Sequence, residues 1–302
     1  MPSCALTVDL EEYFQVSNFA RLIDRAGWDA IPSRVEGATR RLLDAFEARR
    51  QRATFFVLGW VAERHPELVR EIARRGHEIA CHGYGHELVY ELGPARFRAD
   101  LRRARSAIEA AANRSPRGYR APSYSVTRAS LWALEILAEE GFAYDSSIFP
   151  IRHPRYGIPG FARGPLRLHL PGGQSLLEFP LTTLAVGPLT LPLAGGAYLR
   201  FLPEALFRWG WRRLARAGAP AVLYLHPWEV DPEQPRQAAA WRVRVNHYHN
   251  LQRTAGRLER LLASFAFAPM GEVLEDLERA GRLPDQLLGA ALPSPLAAAG
   301  VF

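Results

Sequence analysis

The stretch His77-Glu78-Ile79-Ala80-Cys81-His82-Gly83-Tyr84-Gly85-His86 decides how this chain is read. Residues 77–81 form a short apolar run of strand character, and the run leads straight into two imidazoles four positions apart. If residues 82–86 make one helical turn, both rings sit on the same face. They are then close enough to hold one divalent ion, and zinc takes neutral imidazole nitrogen readily. Alone, such a pair in a loop is more often two solvated or hydrogen-bonded histidines than a metal site. The weight therefore falls on whether the chain supplies a third ligand, a base and an acid.

Working outward, short β-like runs alternate with helical ones. Residues 4–9 read as a buried strand, and Ser33 with Glu36 makes a capping box for a helix to about Arg50. Residues 53–58 are a second β run, followed by an amphipathic helix over 60–75 that Gly76 stops. Pro94 starts a helix to about Ala112, residues 118–120 are extended, and Thr127 caps a helix ending at Gly141. Residues 143–145 are extended again. From 150 to 196 the chain is rich in Pro and Gly, with one β run at 176–182. A helix over 203–217, a strand over 221–225 and helices over 251–264 and 271–281 follow. This alternation predicts an α/β architecture with a largely parallel sheet. The expected division is a main barrel over 1–230, an extension over 231–283 packed on it, and a loosely held tail over 284–302.

Asp9, Cys81-His82, Arg120, Asp145 and His226 each fall at the C-terminal end of an expected strand. In α/β barrels that end carries the active site. Residues scattered over more than half the chain would thus meet at one mouth.

Bulk composition narrows the class. At 302 residues with 48% hydrophobic residues, a large core is available. The net charge is +7, and every cationic side chain besides histidine is arginine, spread along helical patterns with interleaved acids. These read as solvated helix faces, and no nucleic-acid motif accompanies them. Cys4 and Cys81 are too few for a disulfide framework. No apolar run has the length of a membrane span, and the N-terminus lacks the pattern of a signal peptide. The expected location is the cytoplasm, compatible with peripheral attachment to the inner membrane.

With these positions in view, the chain resembles the polysaccharide deacetylases, the carbohydrate esterase family 4 or NodB-homology enzymes. Five short motifs carry the resemblance in order: Thr7-Val8-Asp9-Leu10-Glu11-Glu12, His82-Gly83-Tyr84-Gly85-His86, Arg120-Ala121-Pro122-Ser123-Tyr124, Asp145-Ser146-Ser147-Ile148-Phe149-Pro150, and Leu223-Tyr224-Leu225-His226-Pro227-Trp228. Flanking detail (Glu11 to Phe14, Gly195 to Arg200, and Asn246 to Tyr248 with later matches to Met270) is similar to a bacterial subgroup with a C-terminal extension. That subgroup is associated with exopolysaccharide loci of the exosortase (PEP-CTERM) type.

The resemblance implies a distorted (β/α) barrel that removes N-acetyl groups from a glycan, in association with exopolysaccharide assembly machinery. It implies a divalent metal, zinc first and cobalt or manganese as alternatives, held by Glu11, His82 and His86. The family's usual first motif has two adjacent acids, whereas here Leu10 stands in the second place. On a strand Asp9 and Glu11 share a side and Glu12 points away, so Glu11 is the expected ligand, with Glu12 the fallback. Asp9 is the implied base, Arg120 its partner, and His226 the implied acid with Asp145 fixing its tautomer. The Tyr124 amide is implied to face the oxyanion, Trp228 to line the cleft, and Arg200 to contact substrate. His247 and His249 read as surface histidines. Two other functions stay open: hydrolysis of a small amide, as in allantoinase-like relatives, and a catalytically inactive glycan-binding component.

Overall fold

The computed structural model describes residues 4–288. Twelve strands occur among them: β1 Cys4–Leu10, β2 Thr54–Val57, β3 Glu78–Cys81, β4 Gly118–Tyr119, β5 Tyr144–Asp145, β6 Leu166–His169, β7 Ser175–Glu178, β8 Thr183–Val186, β9 Leu189–Pro192, β10 Ala221–Leu225, β11 Phe267–Ala268 and β12 Asp285–Leu287. Ten α-helices lie between and after them: α1 Val35–Ala48, α2 Gly59–Arg64, α3 Pro66–Arg74, α4 Val89–Ala112, α5 Trp132–Glu139, α6 Ala197–Phe201, α7 Glu204–Arg216, α8 Trp241–Tyr248, α9 Leu251–Leu262 and α10 Met270–Arg279.

The main sheet runs β10-β1-β2-β3-β4-β5-β7-β6-β12, parallel throughout except for the β6–β7 pair, and β11 adds to the start of β1. This is the expected α/β fold with a mostly parallel sheet, curled into a distorted barrel. Between β7 and β10 the barrel closes without a regular ladder. Thr182 Oγ1 accepts the Val222 N–H at 2.6 Å and donates to the Val222 carbonyl at 2.9 Å. Ala194 O accepts the Tyr224 N–H at 2.7 Å. Gly195 is required here: its φ is +127°, and a Cβ would lie 2.0 Å from the Tyr224 carbonyl oxygen.

Alternation along the strands sorts the side chains. Leu6, Val8, Leu10, Phe55, Val57, Ile79, Cys81, Leu223 and Leu225 face outward into one core under the helices. Ala5, Phe56, Ala80, Val222 and Tyr224 face inward into a second core inside the barrel. Extending that parity beyond the strand ends carries Asp9, Glu11, His82 and His226 to the same lumen. Each fully buried large apolar side chain contributes about 1.5–3 kcal/mol, so the two cores fix this parity firmly.

Several elements depart from the sequence reading. Ser33 does not cap α1, because its hydroxyl donates to Glu12 instead. The Glu12 carboxylate accepts the backbone N–H groups of Arg34 and Val35 at 3.1 and 3.3 Å, and so takes the capping role itself. The helix expected over 60–75 is two helices, α2 and α3, broken at His65-Pro66, as the steric restriction before proline dictates. Residues 284–288 are not loose: β12 pairs with β6, and Arg167 N–H donates to the Pro284 carbonyl at 2.9 Å. The remainder of the expected tail, 289–302, lies outside the described residues. The 231–283 stretch contributes β11 to the main sheet rather than only packing on it. No helix among the described residues is long and apolar enough to cross a membrane.

Candidate metal centre

Glu11, His82 and His86 converge at the C-terminal mouth of the barrel, with one donor atom from each lying within 4.8 Å of the others. All three are buried. Residues 82–86 do not form the helical turn that the spacing allowed. They make a bend in which Gly83 has φ +74° and His86 φ +52°, and the two ring centroids sit 5.6 Å apart. A left-handed conformation at a histidine is uncommon and marks a position that its surroundings over-determine. Arg25 supplies part of that constraint, since its Nε–H donates to the Gly85 carbonyl at 2.7 Å.

The His82 Nδ1 lies 2.7 Å from the Arg120 carbonyl, which makes Nδ1–H the donor and leaves Nε2 with a free lone pair. Burial holds this imidazole down at about 4, so the ring is neutral at neutral pH. Glu11 Oε1 accepts the Trp228 indole N–H at 3.1 Å. Glu11 Oε2 is buried without a hydrogen bond, although His86 Nε2 stands 2.9 Å away. The two atoms face each other at ion-pair distance, where one ion could be shared between them. Burial opposes the Glu11 charge, yet His86, His226 and His82 hold its carboxyl down at about 2. Two imidazoles and a carboxylate with one buried oxygen lacking a hydrogen bond are the donor set a divalent metal such as zinc takes. Glu12 is turned away into the α1 cap.

Asp9 and Arg120 meet across the lumen from β1 and the end of β4. Arg120 is fully buried and donates to Asp9 Oδ1 at 2.7 Å, Thr7 Oγ1 at 2.8 Å, Ser146 O at 3.1 Å and Ser146 Oγ at 3.0 Å. Its guanidinium also lies 4.1 Å from the Phe56 ring centroid. One residue thus orients two groups: the side chain fixes Asp9, and the carbonyl fixes His82. The other Asp9 oxygen, Oδ2, faces His226 Nε2 at 3.9 Å.

Asp145 does not reach His226. Its two oxygens accept the Ser147 hydroxyl at 2.6 Å and the Ser147 N–H at 3.1 Å. It also lies against Glu178, whose carboxyl is driven well above the usual range by burial and by the Asp145 charge. The group that meets His226 Nδ1, at 3.0 Å, is Glu229 Oε2. Burial favours the neutral His226 ring, but Glu11, Glu229 and Asp9 outweigh it and push the group up to about 9. Glu229 was missed in the sequence; its only local signal is its place three residues after His226, on the 3-10 turn Pro227–Val230.

The remaining expected residues are placed as follows. Trp228 stacks between His226 (centroids 5.0 Å, 20°) and His247 (4.2 Å, 17°) while holding Glu11. Arg200 is 2% exposed and spends its donors on Glu229 and backbone carbonyls, so it does not face a substrate. The Tyr124 N–H donates to the Ala121 carbonyl at 3.0 Å, in a turn built on Pro122 and left-handed Ser123, so that amide is not left free for an oxyanion. His247 is fully buried, with Nε2 2.7 Å from Gln234 Oε1, because its ring packs behind Trp228; His249 is exposed.

Residues 27–141 match the polysaccharide deacetylase family, and residues 146–275 match a domain of unknown function (DUF3473). A chitooligosaccharide deacetylase of Bradyrhizobium is 31% identical over 145 residues, covering 46% of this chain and 64% of the relative. A peptidoglycan-N-acetylglucosamine deacetylase of Bacillus cereus is 31% identical over 98 residues, covering 32% of this chain and 36% of the relative. The chain therefore spans less than two thirds of each of these curated relatives. A Mycobacterium smegmatis structure assigned as a polysaccharide deacetylase covers 96% of both chains at a TM-score of 0.63 and 25% identity. An allantoinase shares the fold at a TM-score of 0.59 and 18% identity over 93% of this chain and 92% of its own. The chain is thus an α/β barrel whose residues 27–141 match the polysaccharide deacetylase family and whose residues 146–275 match the DUF3473 domain.

Proposed function

We propose that the protein is a metal-dependent hydrolase that removes N-acetyl groups from an N-acetylated polysaccharide or its oligosaccharide precursor during exopolysaccharide synthesis. The observation that carries this reading is the convergence of Glu11, His82 and His86, with Glu11 Oε2 buried, without a hydrogen bond and 2.9 Å from His86 Nε2, beside Asp9 and His226. The substrate class is supported by the two relatives, which act on chitooligosaccharides and on peptidoglycan N-acetylglucosamine.

Glu11, His82 and His86 would hold the divalent metal, which when bound would supply Lewis-acid polarisation of the acetyl carbonyl and a lowered pKa for water. The chain's own groups supply the proton transfers. Asp9, held by Arg120 through Oδ1, presents Oδ2 to take the proton of the attacking water. His226 is favoured as imidazolium by its acidic neighbours, and its Nε2 points toward the same space as Asp9 Oδ2. It donates that proton to the sugar nitrogen as the C–N bond breaks, leaving acetate and a free amine. Trp228 walls the site and fixes the carboxylate ligand.

The test is acetate release from N-acetylglucosamine oligomers by zinc-loaded protein. Asp9→Asn keeps its contact with Arg120 but cannot take the proton, and is expected to lose on the order of 100- to 10,000-fold in kcat with zinc still bound. A zinc-loaded wild-type protein that releases no acetate from any N-acetylated glycan contradicts the proposal.

A further inference from the structure

The groups that hold His226 through Nδ1 come from the segment whose family has no assigned role. His226, Glu229 and Arg200 lie within residues 146–275, whereas His82, His86 and Arg120 lie within 27–141. Glu229 is fully buried and accepts on both sides. Oε2 accepts from His226, through the backbone N–H at 3.1 Å and with Nδ1 at 3.0 Å. Oε1 accepts the Arg200 Nε–H at 2.7 Å.

Arg200, on α6, is held from behind. Its Nη1 donates to the carbonyls of Asn246, His247 and His249, at 3.0, 3.0 and 3.1 Å. These oxygens lie at the C-terminal end of α8, where helix carbonyls lack partners and a cation is favoured. The backbone of α6 is clamped in turn: Arg257 of α9 donates to the carbonyls of Arg200 and Leu202 at 3.1 Å each, and Asn250 Nδ2 donates to Arg200 O at 2.9 Å. A continuous set of charge-assisted contacts therefore runs from α8 and α9 through Arg200 and Glu229 to the His226 ring. Arginine suits this place because its planar fork serves a carboxylate and several carbonyls at once; a lysine ammonium cannot span them.

We infer that Glu229 and Arg200 are positioning residues through which the 146–275 segment sets the tautomer and angle of the His226 ring, the task sequence resemblance gives to Asp145. The catalytic meaning of that ring rests on the hydrolase reading above; the positioning itself does not. Replacing Glu229 by Gln preserves shape. With its oxygen facing Arg200, the amide then presents N–H to His226 Nδ1, which leaves Nδ1 without its proton and confines the ring proton to Nε2.

The experiment uses protein labelled with 15N-histidine, with the His226 Nδ1–H resonance identified by its absence in His226→Asn. A hydrogen-bonded Nδ1–H signal is expected in wild type and in Asp145→Asn, and is expected to vanish in Glu229→Gln. In the acetate assay Glu229→Gln is expected to lose on the order of 10- to 100-fold in kcat, with KM and zinc affinity held within about twofold. Arg200→Lys is expected to fall in the same direction; if it fails to fold, Glu229→Gln decides alone. An unchanged His226 resonance and kcat in Glu229→Gln, or loss of the resonance in Asp145→Asn alone, overturns the inference. A wild-type protein without deacetylase activity overturns the hydrolase reading instead, while the resonance still judges the positioning.

Discussion

Trp228→Phe separates the metal-site account from a purely structural one. Among the described residues the indole N–H gives Glu11 Oε1 its hydrogen bond, at 3.1 Å, and Oε2 is the oxygen turned toward His86. Phenylalanine keeps an aromatic ring between His226 and His247 but removes the donor. A hydrogen bond to a charged group contributes about 1.5–3 kcal/mol, and each 1.4 kcal/mol is about tenfold in affinity. The freed carboxylate can rotate, so the zinc Kd is expected to rise by about 10- to 100-fold, the range seen when the partners of metal ligands are removed. The lost ring volume also lowers stability by roughly 1–3 kcal/mol, so folding is checked separately by thermal denaturation. Competition against a coloured chelator gives the Kd directly. A folded Trp228→Phe protein whose zinc Kd stays within about threefold of wild type refutes the reasoning, because Glu11 would then not be held through Oε1.

Three further outcomes are expected. Replacing Gly195 by Ala places a methyl group 2.0 Å from the Tyr224 carbonyl at a φ of +127°, so barrel closure is expected to lose more than about 2 kcal/mol, read as a fall in Tm or in soluble yield. His77 is buried beside Phe46 and Phe55, its Nδ1 accepts the Ala53 N–H at 3.1 Å, and burial holds it down at about 4. Its contribution is complete above the unfolded value near 6.5 and is lost as pH falls toward about 4, on the order of 3 kcal/mol; the wild-type Tm is expected to drop more steeply over that range than that of His77→Asn. Glu12→Ala is expected to destabilise α1 by about 0.5–2 kcal/mol by removing its cap, while zinc affinity stays unchanged. A matching loss of zinc in that variant would reinstate Glu12 as a ligand.

What the sequence revealed, and what it hid, follows from the range of the interactions. Strand parity is local, so the shared side of Asp9 and Glu11, and the placement of His82 and His226 beyond strand ends, were legible. The Pro66 break escaped the reading of one helix over 60–75 because an amphipathic pattern continues on both sides of it. Competition between partners was not legible. Ser33 has the spacing of a capping box, yet Glu12 arrives from 21 positions away and takes both the hydroxyl and the helix N–H groups. The partner of His226 posed the same problem: two buried carboxylates were available, and Ser147 and Glu178 engage Asp145 before it can reach the ring. His247 sits in a polar stretch that reads as surface, and only the stacking on Trp228 makes its burial intelligible. The left-handed backbone at His86, Ser123 and Tyr124 likewise depends on tertiary surroundings that no local pattern encodes.

The most direct measurement is anomalous diffraction at the zinc absorption edge from crystals of the zinc-loaded protein. The account predicts one peak per chain, ligated by Glu11 Oε2, His82 Nε2 and His86 Nε2, with Asp9 Oδ2 and His226 Nε2 facing it and not bound to it. A peak coordinated by Glu12, or no peak at the barrel mouth under saturating zinc, would contradict it.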